Sequence, residues 1–386
     1  MSEIQSIEGR PLKKGLSPGQ RSAYGALGLL VAALALVLVG QVVQPPTIPP
    51  DHVLALIERD GHVVLAKSDG SAVTPFVGAG VPVDPMWVLW APGGDFLTLR
   101  TADAVVVVDR AGVVSWRKAV AGASVSVAWS PDGSAVAIFD AGGGVDATGA
   151  ARASLQIQSS TGALQWDVPL ADGFGLVPGY GSLAWSPDGS SLAFTGFTKA
   201  QSVGGLQPTT LWIATVATQA LAPVTHESNA FIYGAGWASD RNLYVARSSF
   251  EETGIWRVDA SSGALTLVAR RQTDSCAPGA TCTFELLGPI VPSPDGGALA
   301  FRDVNRDLSV LTVATGAVAS IPAVAIASST PYAWSADGST LLYLDNGDPP
   351  ADPAVAQRLM RFDPAAGSSE AVVNGVRAFD LVVGPS

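Results

Sequence analysis

The residues best equipped for chemistry in this chain are few and poorly spaced for it. Cys276 and Cys282 are its only cysteines, a C-x5-C pair inside a Gly/Thr/Ala-rich stretch. In an oxidising compartment such a pair reads as a local disulfide, and closing so small a ring contributes ~2 kcal/mol, enough to pin a loop rather than a fold. A metal site would need further ligands, and no other Cys or neighbouring His supplies them. His52, His62 and His226 are scattered, without a partner at ligand or triad spacing, and read as surface residues. Asp303, Asn305 and Asp307 form D-x-N-x-D, the opening of a calcium loop. Leu308 stands where that loop needs Gly, however, and Ala314 where it needs Glu, so a polar hairpin turn is the better reading. Asp345, Asp348 and Asp352 read as a solvated loop. No G-x-S-x-G elbow, phosphate-binding loop or H-E-x-x-H pair occurs. The expectation is therefore no catalytic, cofactor-binding or metal-ligating residues.

A different set of residues recurs with regular spacing. VLWAPGGDFLTLR begins at Val88, VAWSPDGSAVAIF at Val127, LAWSPDGSSLAFT at Leu183, AGWASDRNLYVAR at Ala235, IVPSPDGGALAFR at Ile290 and YAWSADGSTLLYL at Tyr332. Each is an apolar strand, a four-residue turn and an alternating strand. In the turns, Pro131, Pro187 and Pro294 preset φ at the first corner. Asp132, Asp188, Asp295 and Asp337 can accept from local N–H groups, and Gly133, Gly189, Gly296 and Gly338 supply positive φ. Trp90, Trp129, Trp185, Trp237 and Trp334 hold one position in five of the six copies, with Pro292 in the sixth. A large ring at a fixed place per repeat suits packing between neighbouring sheets.

A second phrase follows each first: a β-branched strand, a turn often of the x-T-G or x-S-G type, and another strand, as in LQIQSSTGALQW (155–166) and IWRVDASSGALTL (255–267). Each full repeat thus holds two hairpins. Residues 53–76 supply strands two, three and four of a seventh copy, and FDLVVGPS (379–386) supplies its missing first strand. The fold class expected is all-β, a seven-bladed β-propeller over 53–386 whose first and last strands share one blade, leaving no open seam. The W-S-P-D-G-x-x-[LI]-A-[FY] phrase resembles the WD-repeat-like propeller motif of the TolB family. That resemblance implies a propeller with a partner-binding role and structural motif residues. TolB-type proteins have six blades beside a small α/β domain, whereas seven repeats and no second domain are counted here.

Residues 1–23 form a polar tail with four basic side chains, and 24–43 (YGALGLLVAALALVLVGQVV) are uncharged. About 20 such residues span a ~30 Å hydrocarbon core as a helix. The basic flank, followed by Asp51 and Glu58, places the N-terminus in the cytoplasm and the propeller outside. A cleaved signal peptide, a lipoprotein and a buried core helix are the alternatives. The long polar lead, the absence of a following Cys and the absence of a polar face favour an uncleaved, single-pass signal anchor. Residues 44–52 are a Pro-rich stalk. The bacterial cytoplasmic membrane is the expected location, from the TolB resemblance and the Ala/Gly/Val-rich, Lys-poor usage.

Residues 44–386 carry 18 basic and 31 acidic side chains, which excludes a phosphate-backbone partner. No nucleic acid is expected. Topology puts the short SPDG and x-T-G turns on one face and longer loops (140–152, 167–180, 197–209, 222–232, 270–287, 346–356) on the other. The long-loop face is the expected surface for protein partners, against the alternative of tolerated insertion drift. The stalk enters on the short-turn side. The function expected is a membrane-anchored, extracytoplasmic binding or scaffolding module, possible also as a subunit of a larger membrane complex. A propeller hydrolase, lactonase or carbohydrate-binding module working at the central channel mouth is the alternative.

Overall fold

The computed structural model describes residues 53–78, 81–82, 84–121, 125–145, 151–168, 170, 174–176, 183–198, 209–224, 230–239, 241–249, 252–270, 287–302, 308–321, 332–345 and 358–381. Among them no helix is long and apolar enough to cross a membrane. The expected span at 24–43, the stalk, His52, His226, both cysteines, the D-x-N-x-D segment, Asp348 and Asp352 lie outside the described residues.

The chain opens with β1 (Leu54–Glu58), β2 (Val63–Ala66) and β3 (Thr74–Pro75). Blade 2 is β4 (Trp87–Trp90), β5 (Phe96–Arg100), β6 (Ala104–Asp109) and β7 (Val114–Ala119). Blade 3 is β8 (Val125–Trp129), β9 (Ala135–Val145), β10 (Ala151–Ser159) and β11 (Leu164–Val168). Blade 4 holds β12 (Phe174–Leu176), β13 (Ala184–Trp185), β14 (Ser191–Thr198), β15 (Thr210–Thr215) and β16 (Ala220–Pro223). Blade 5 is β17 (Ala230–Trp237), β18 (Asn242–Ser249), β19 (Thr253–Asp259) and β20 (Leu265–Arg270). Blade 6 is β21 (Leu287–Pro292), β22 (Ala298–Arg302), β23 (Leu308–Thr312) and β24 (Ala317–Ile321). Blade 7 is β25 (Tyr332–Trp334), β26 (Leu341–Asp345), β27 (Arg358–Asp363) and β28 (Ser368–Asn374), and β29 (Val376–Leu381) ends the described chain. All neighbouring pairs within the sheets are antiparallel.

The last strand joins the first sheet, whose order is β29-β1-β2-β3. Leu54 pairs with Leu381, Ala55 with Asp380 and Leu56 with Phe379. The seven-bladed ring with a split blade read from the repeats is the fold observed. The closing strand lies at Val376–Leu381 rather than starting at Phe379.

Two other boundaries differ from expectation. Strands β9 and β10 run on to Val145 and back from Ala151, so most of the 140–152 segment is hairpin rather than loop. In blade 4, β12 forms inside the expected 167–180 loop. It pairs with Gly196–Thr198 of β14, while β13 pairs with Leu192 and Ala193. The eight-residue β14 outruns a two-residue partner, and β12 satisfies the backbone groups left over.

First strands of successive blades touch one another around the axis, while fourth strands such as β24 (eeeeB) and β28 face solvent. Among the described residues, seven apolar clusters form, one at each junction. Leu54, Leu56 and Phe379 pack on Leu342, Leu344 and Leu359 where blade 7 meets blade 1, as at every other junction. Successive residues of a strand face opposite neighbours, so a fully apolar strand serves two junctions at once.

Candidate functional site

The repeated Trp residues act across junctions. The indole N–H of Trp185 donates to the Ala128 carbonyl (3.1 Å), Trp237 to the Ala184 carbonyl (2.9 Å) and Trp334 to the Val291 carbonyl (2.9 Å). In each case the acceptor precedes the Trp-position residue of the blade before. Trp129 reaches the Thr98 hydroxyl of blade 2 instead, at 2.9 Å. Trp90 departs from the pattern. Its ring is 3% exposed and its indole nitrogen has no acceptor among the described residues, while its backbone N–H donates to the Asp380 carboxylate at 2.6 Å.

The turn aspartates work locally. Asp132 accepts from the Ser130 hydroxyl (2.6 Å) and the Ser134 N–H (3.0 Å), and Ser130 Oγ in turn accepts from the Ala135 N–H. The same closed circuit recurs with Ser186/Asp188, Ser293/Asp295 and Ser335/Asp337. These bonds hold each carboxyl below its usual range, that of Asp337 at about 2, the serine hydroxyl being the largest cause. In blades 3 to 6 the short 3–4 turn also ties to the 1–2 turn beside it: Ser160 N–H to the Ser134 carbonyl, Val216 to Ser190, Ala260 to Arg241 and Val313 to Gly297. The short-turn end is thus a surface whose polar groups are largely spent on itself.

The opposite end is built differently. Among the described residues the four buried charged side chains (Arg100, Asp140, Arg302 and Asp345) sit at the long-loop end of second strands. Arg100 and Arg302 close the phrases FLTLR and ALAFR at equivalent positions, and Asp140 and Asp345 fall one place further along their own strands. Burial lowers the Arg100 guanidinium, and the Asp140 charge across the blade 2/3 junction works against that shift. Asp140 accepts from the N–H groups of Ala121 (3.0 Å) and Gly142 (3.1 Å), tying the loop between blades to the hairpin beside it. Arg302 lies 5.9 Å from the Tyr332 ring of blade 7, and burial raises that phenol's pKa. Asp345 pairs with Arg358 at 2.6 Å, Arg377 with Asp84 at 2.5 Å, and Arg270 with Glu252 at 2.5 Å. The hydroxyls of Ser154, Thr195, Thr209, Ser248 and Thr253 complete a polar layer beneath the long loops.

Asp345, expected in a solvated loop, is instead a buried strand residue, 8% exposed, because its strand extends one residue further than the apolar pattern and Arg358 compensates the charge. His62 sits in the exposed hairpin between β1 and β2 beside Asp60, as a surface residue. Sequence reasoning missed the arginines, although a charged residue ending an otherwise apolar strand twice in one repeat position was a visible signal. It also missed Asp380, the single charged residue at a first-strand position that elsewhere holds Leu89, Ala128, Ala184, Gly236, Val291 and Ala333. Burial drives its carboxyl up to about 7, with the Trp90 and Leu381 N–H groups pulling the other way. Among the described residues no His/Cys/Asp/Glu group could hold a metal ion.

No protein-family model matches the chain, and no curated protein matches it. Solved structures do. A Mycobacterium tuberculosis puromycin-hydrolyzing peptidase aligns with TM-score 0.52 and 18% identity, covering 86% of this chain and 53% of its own. An oligogalacturonate lyase in complex with manganese aligns with TM-score 0.51 and 14% identity, covering 85% and 80%. TolB from Acinetobacter baumannii aligns with TM-score 0.46 and 16% identity, covering 83% and 79%. The chain spans about half the length of the puromycin-hydrolysing proteins it matches. At such identities the likeness is one of fold: the chain is a seven-bladed β-propeller whose structural neighbours include peptidases, a lyase and TolB.

Proposed function

We propose that this chain is a membrane-anchored, extracytoplasmic propeller that binds protein partners through its long-loop face. The observation that carries the reading is the contrast between its two ends. The short turns spend their buried serine hydroxyls on their own aspartates, whereas the buried arginines and carboxylates among the described residues gather at the long-loop end. A rigid ring with a polar, loop-bearing rim is a scaffold suited to recognition. The uncharged run at 24–43 and the stalk support anchoring.

Purification of the full-length chain from its native membranes, followed by identification of co-purifying proteins, tests this. Replacing residues 271–286 between β20 and β21 by a Gly/Ser linker of equal length should remove the partner while leaving the unfolding transition intact. Retention of every partner by that variant would count against the long-loop face. A second reading, a hydrolase or lactonase acting at the channel mouth, has one observation in its favour: a first-strand carboxyl, Asp380, poised near neutral pH. Esterase or lactonase turnover by the purified protein, abolished in Asp380→Asn, would establish it over the binding role.

A further inference from the structure

The repeats provide seven copies of one position, the central third-strand residue facing the next blade. In blades 1, 2, 3, 4 and 6 it is Leu65, Val107, Ile157, Ile213 or Val310, each buried in its junction cluster. In blade 7 it is Arg361, and in blade 5 Arg257; both sit in the same cross-strand row, Leu342–Arg361–Glu370 and Tyr244–Arg257–Thr266. Arg361 shows what a guanidinium requires there. It donates to the Glu370 carboxylate opposite (3.1 Å) and to the Ser68 carbonyl in the 3–4 turn of the next blade (2.8 Å).

At Arg257 neither contact is made. Thr266 stands where Glu370 would. Among the described residues Arg257 makes no hydrogen bond or ion pair, and its side chain is exposed. Beside the apolar cluster of the blade 5/6 junction there is a groove of about 310 Å³. It is lined by Arg257, Tyr244, Thr266, Leu267, Val268 and the 313–316 turn of blade 6. Its lining mixes Leu267, Val268, Val313 and the buried Tyr244 with two threonine hydroxyls and Arg257.

We propose that the groove between blades 5 and 6 is a carboxylate-binding site in which Arg257 takes from a ligand the contact that Glu370 gives Arg361. A planar guanidinium matched to a carboxylate is a directional, charge-assisted pair, and it is stronger beside low-dielectric walls. Leu267, Val268 and Val313 in the lining suit ligands that carry a short hydrocarbon stem behind the acid. The site lies outside the long-loop face and stands independently of the partner reading.

Two variants test it in the full-length protein. Arg257→Leu installs an apolar side chain, as in blades 1, 2, 3, 4 and 6. Thr266→Glu rebuilds the row of blade 7 and supplies an internal carboxylate. Calorimetric titration uses glutarate, inorganic phosphate, and an acetylated, amidated pentapeptide with a single Glu. Glutarate or the peptide should bind the wild type, whichever does so naming the source of the carboxylate. Both variants should weaken that binding at least ~10-fold, and Thr266→Glu should raise the unliganded melting temperature. Three outcomes would overturn the proposal: binding of neither carboxylate probe, equal binding by Arg257→Leu, or Arg257-dependent binding of phosphate alone. A melting temperature lowered by Arg257→Leu would do so too, because it would make Arg257 a packing residue rather than a ligand-facing one.

Discussion

Asp337 and Asp380 are both aspartates in short stretches of repeat, yet their surroundings push them in opposite directions. Asp337 is solvent-exposed, and the Ser335 hydroxyl and Ser339 N–H hold its charged form, lowering its pKa from 3.8 to about 2. Asp259 in a 3–4 turn behaves the same way, also at about 2. Their contribution to stability is present above pH 3.8 and is lost as pH falls through 2. Asp380 is raised from 3.8 to about 7, so the folded state takes up a proton that the unfolded chain releases. Its contribution is full below 3.8 and is lost as pH rises through 7. Part of the Asp380 surface remains open, so a loss on the order of 2 kcal/mol between those limits is expected rather than the full value of the shift. Melting temperature recorded from pH 2 to 8 should therefore peak near pH 4. In Asp380→Asn, which keeps an acceptor for the Trp90 N–H, the decline toward pH 7 should flatten while the acid limb persists. Parallel wild-type and variant profiles would show that Asp380 does not titrate in this range.

At the level of the strand, the first-strand Trp ties each blade to the one before it. Trp334 is 3% exposed, with its N–H on the Val291 carbonyl. Trp334→Phe keeps most of the apolar contact but leaves that carbonyl without its donor, and should cost roughly 1–2 kcal/mol. Trp334→Ala should cost roughly 3–5 kcal/mol. Denaturant titrations that place Trp334→Phe level with the wild type would mean that the indole N–H contributes nothing. These elements were legible because their signals are local: Pro, Asp and Gly define each turn, and alternation defines each strand. What could not be read was where a strand stops. Ala135–Val145 continues through DAGGG, a run that looks like loop, because hairpin pairing with Ala151–Ser159 outweighs the weak intrinsic preference of glycine. Arg100 and Asp140 were equally invisible as a pair, since they lie 40 residues apart on different blades and only the register of the ring brings their charges near each other.

For the molecule as a whole, the decisive contact is the one between chain ends. Leu54, Leu56 and Val64 are between 0% and 4% exposed, and β29 covers one edge of their sheet while contributing Phe379 and Leu381 to the blade 7/1 core. Blade 1 has the weakest outer edge, a two-residue β3 containing Pro75, so it cannot compensate from outside for a lost inner strand. Removing residues 376–386 should therefore do more than delete six strand residues. It exposes an apolar strand edge and opens two junctions at once, because Ala378 also packs in the blade 1/2 cluster and Asp380 bonds to Trp90. The truncated chain should lose its single cooperative unfolding transition and self-associate through the bared edge. Supplying residues 374–386 as a peptide in trans should restore the transition, because the closing strand is held by pairing and packing rather than by a covalent link. A truncated chain that melts in one step, monomeric and within a few degrees of the wild type, would mean that the ring is held by its other junctions. The shared blade would then be a feature of chain threading rather than of stability.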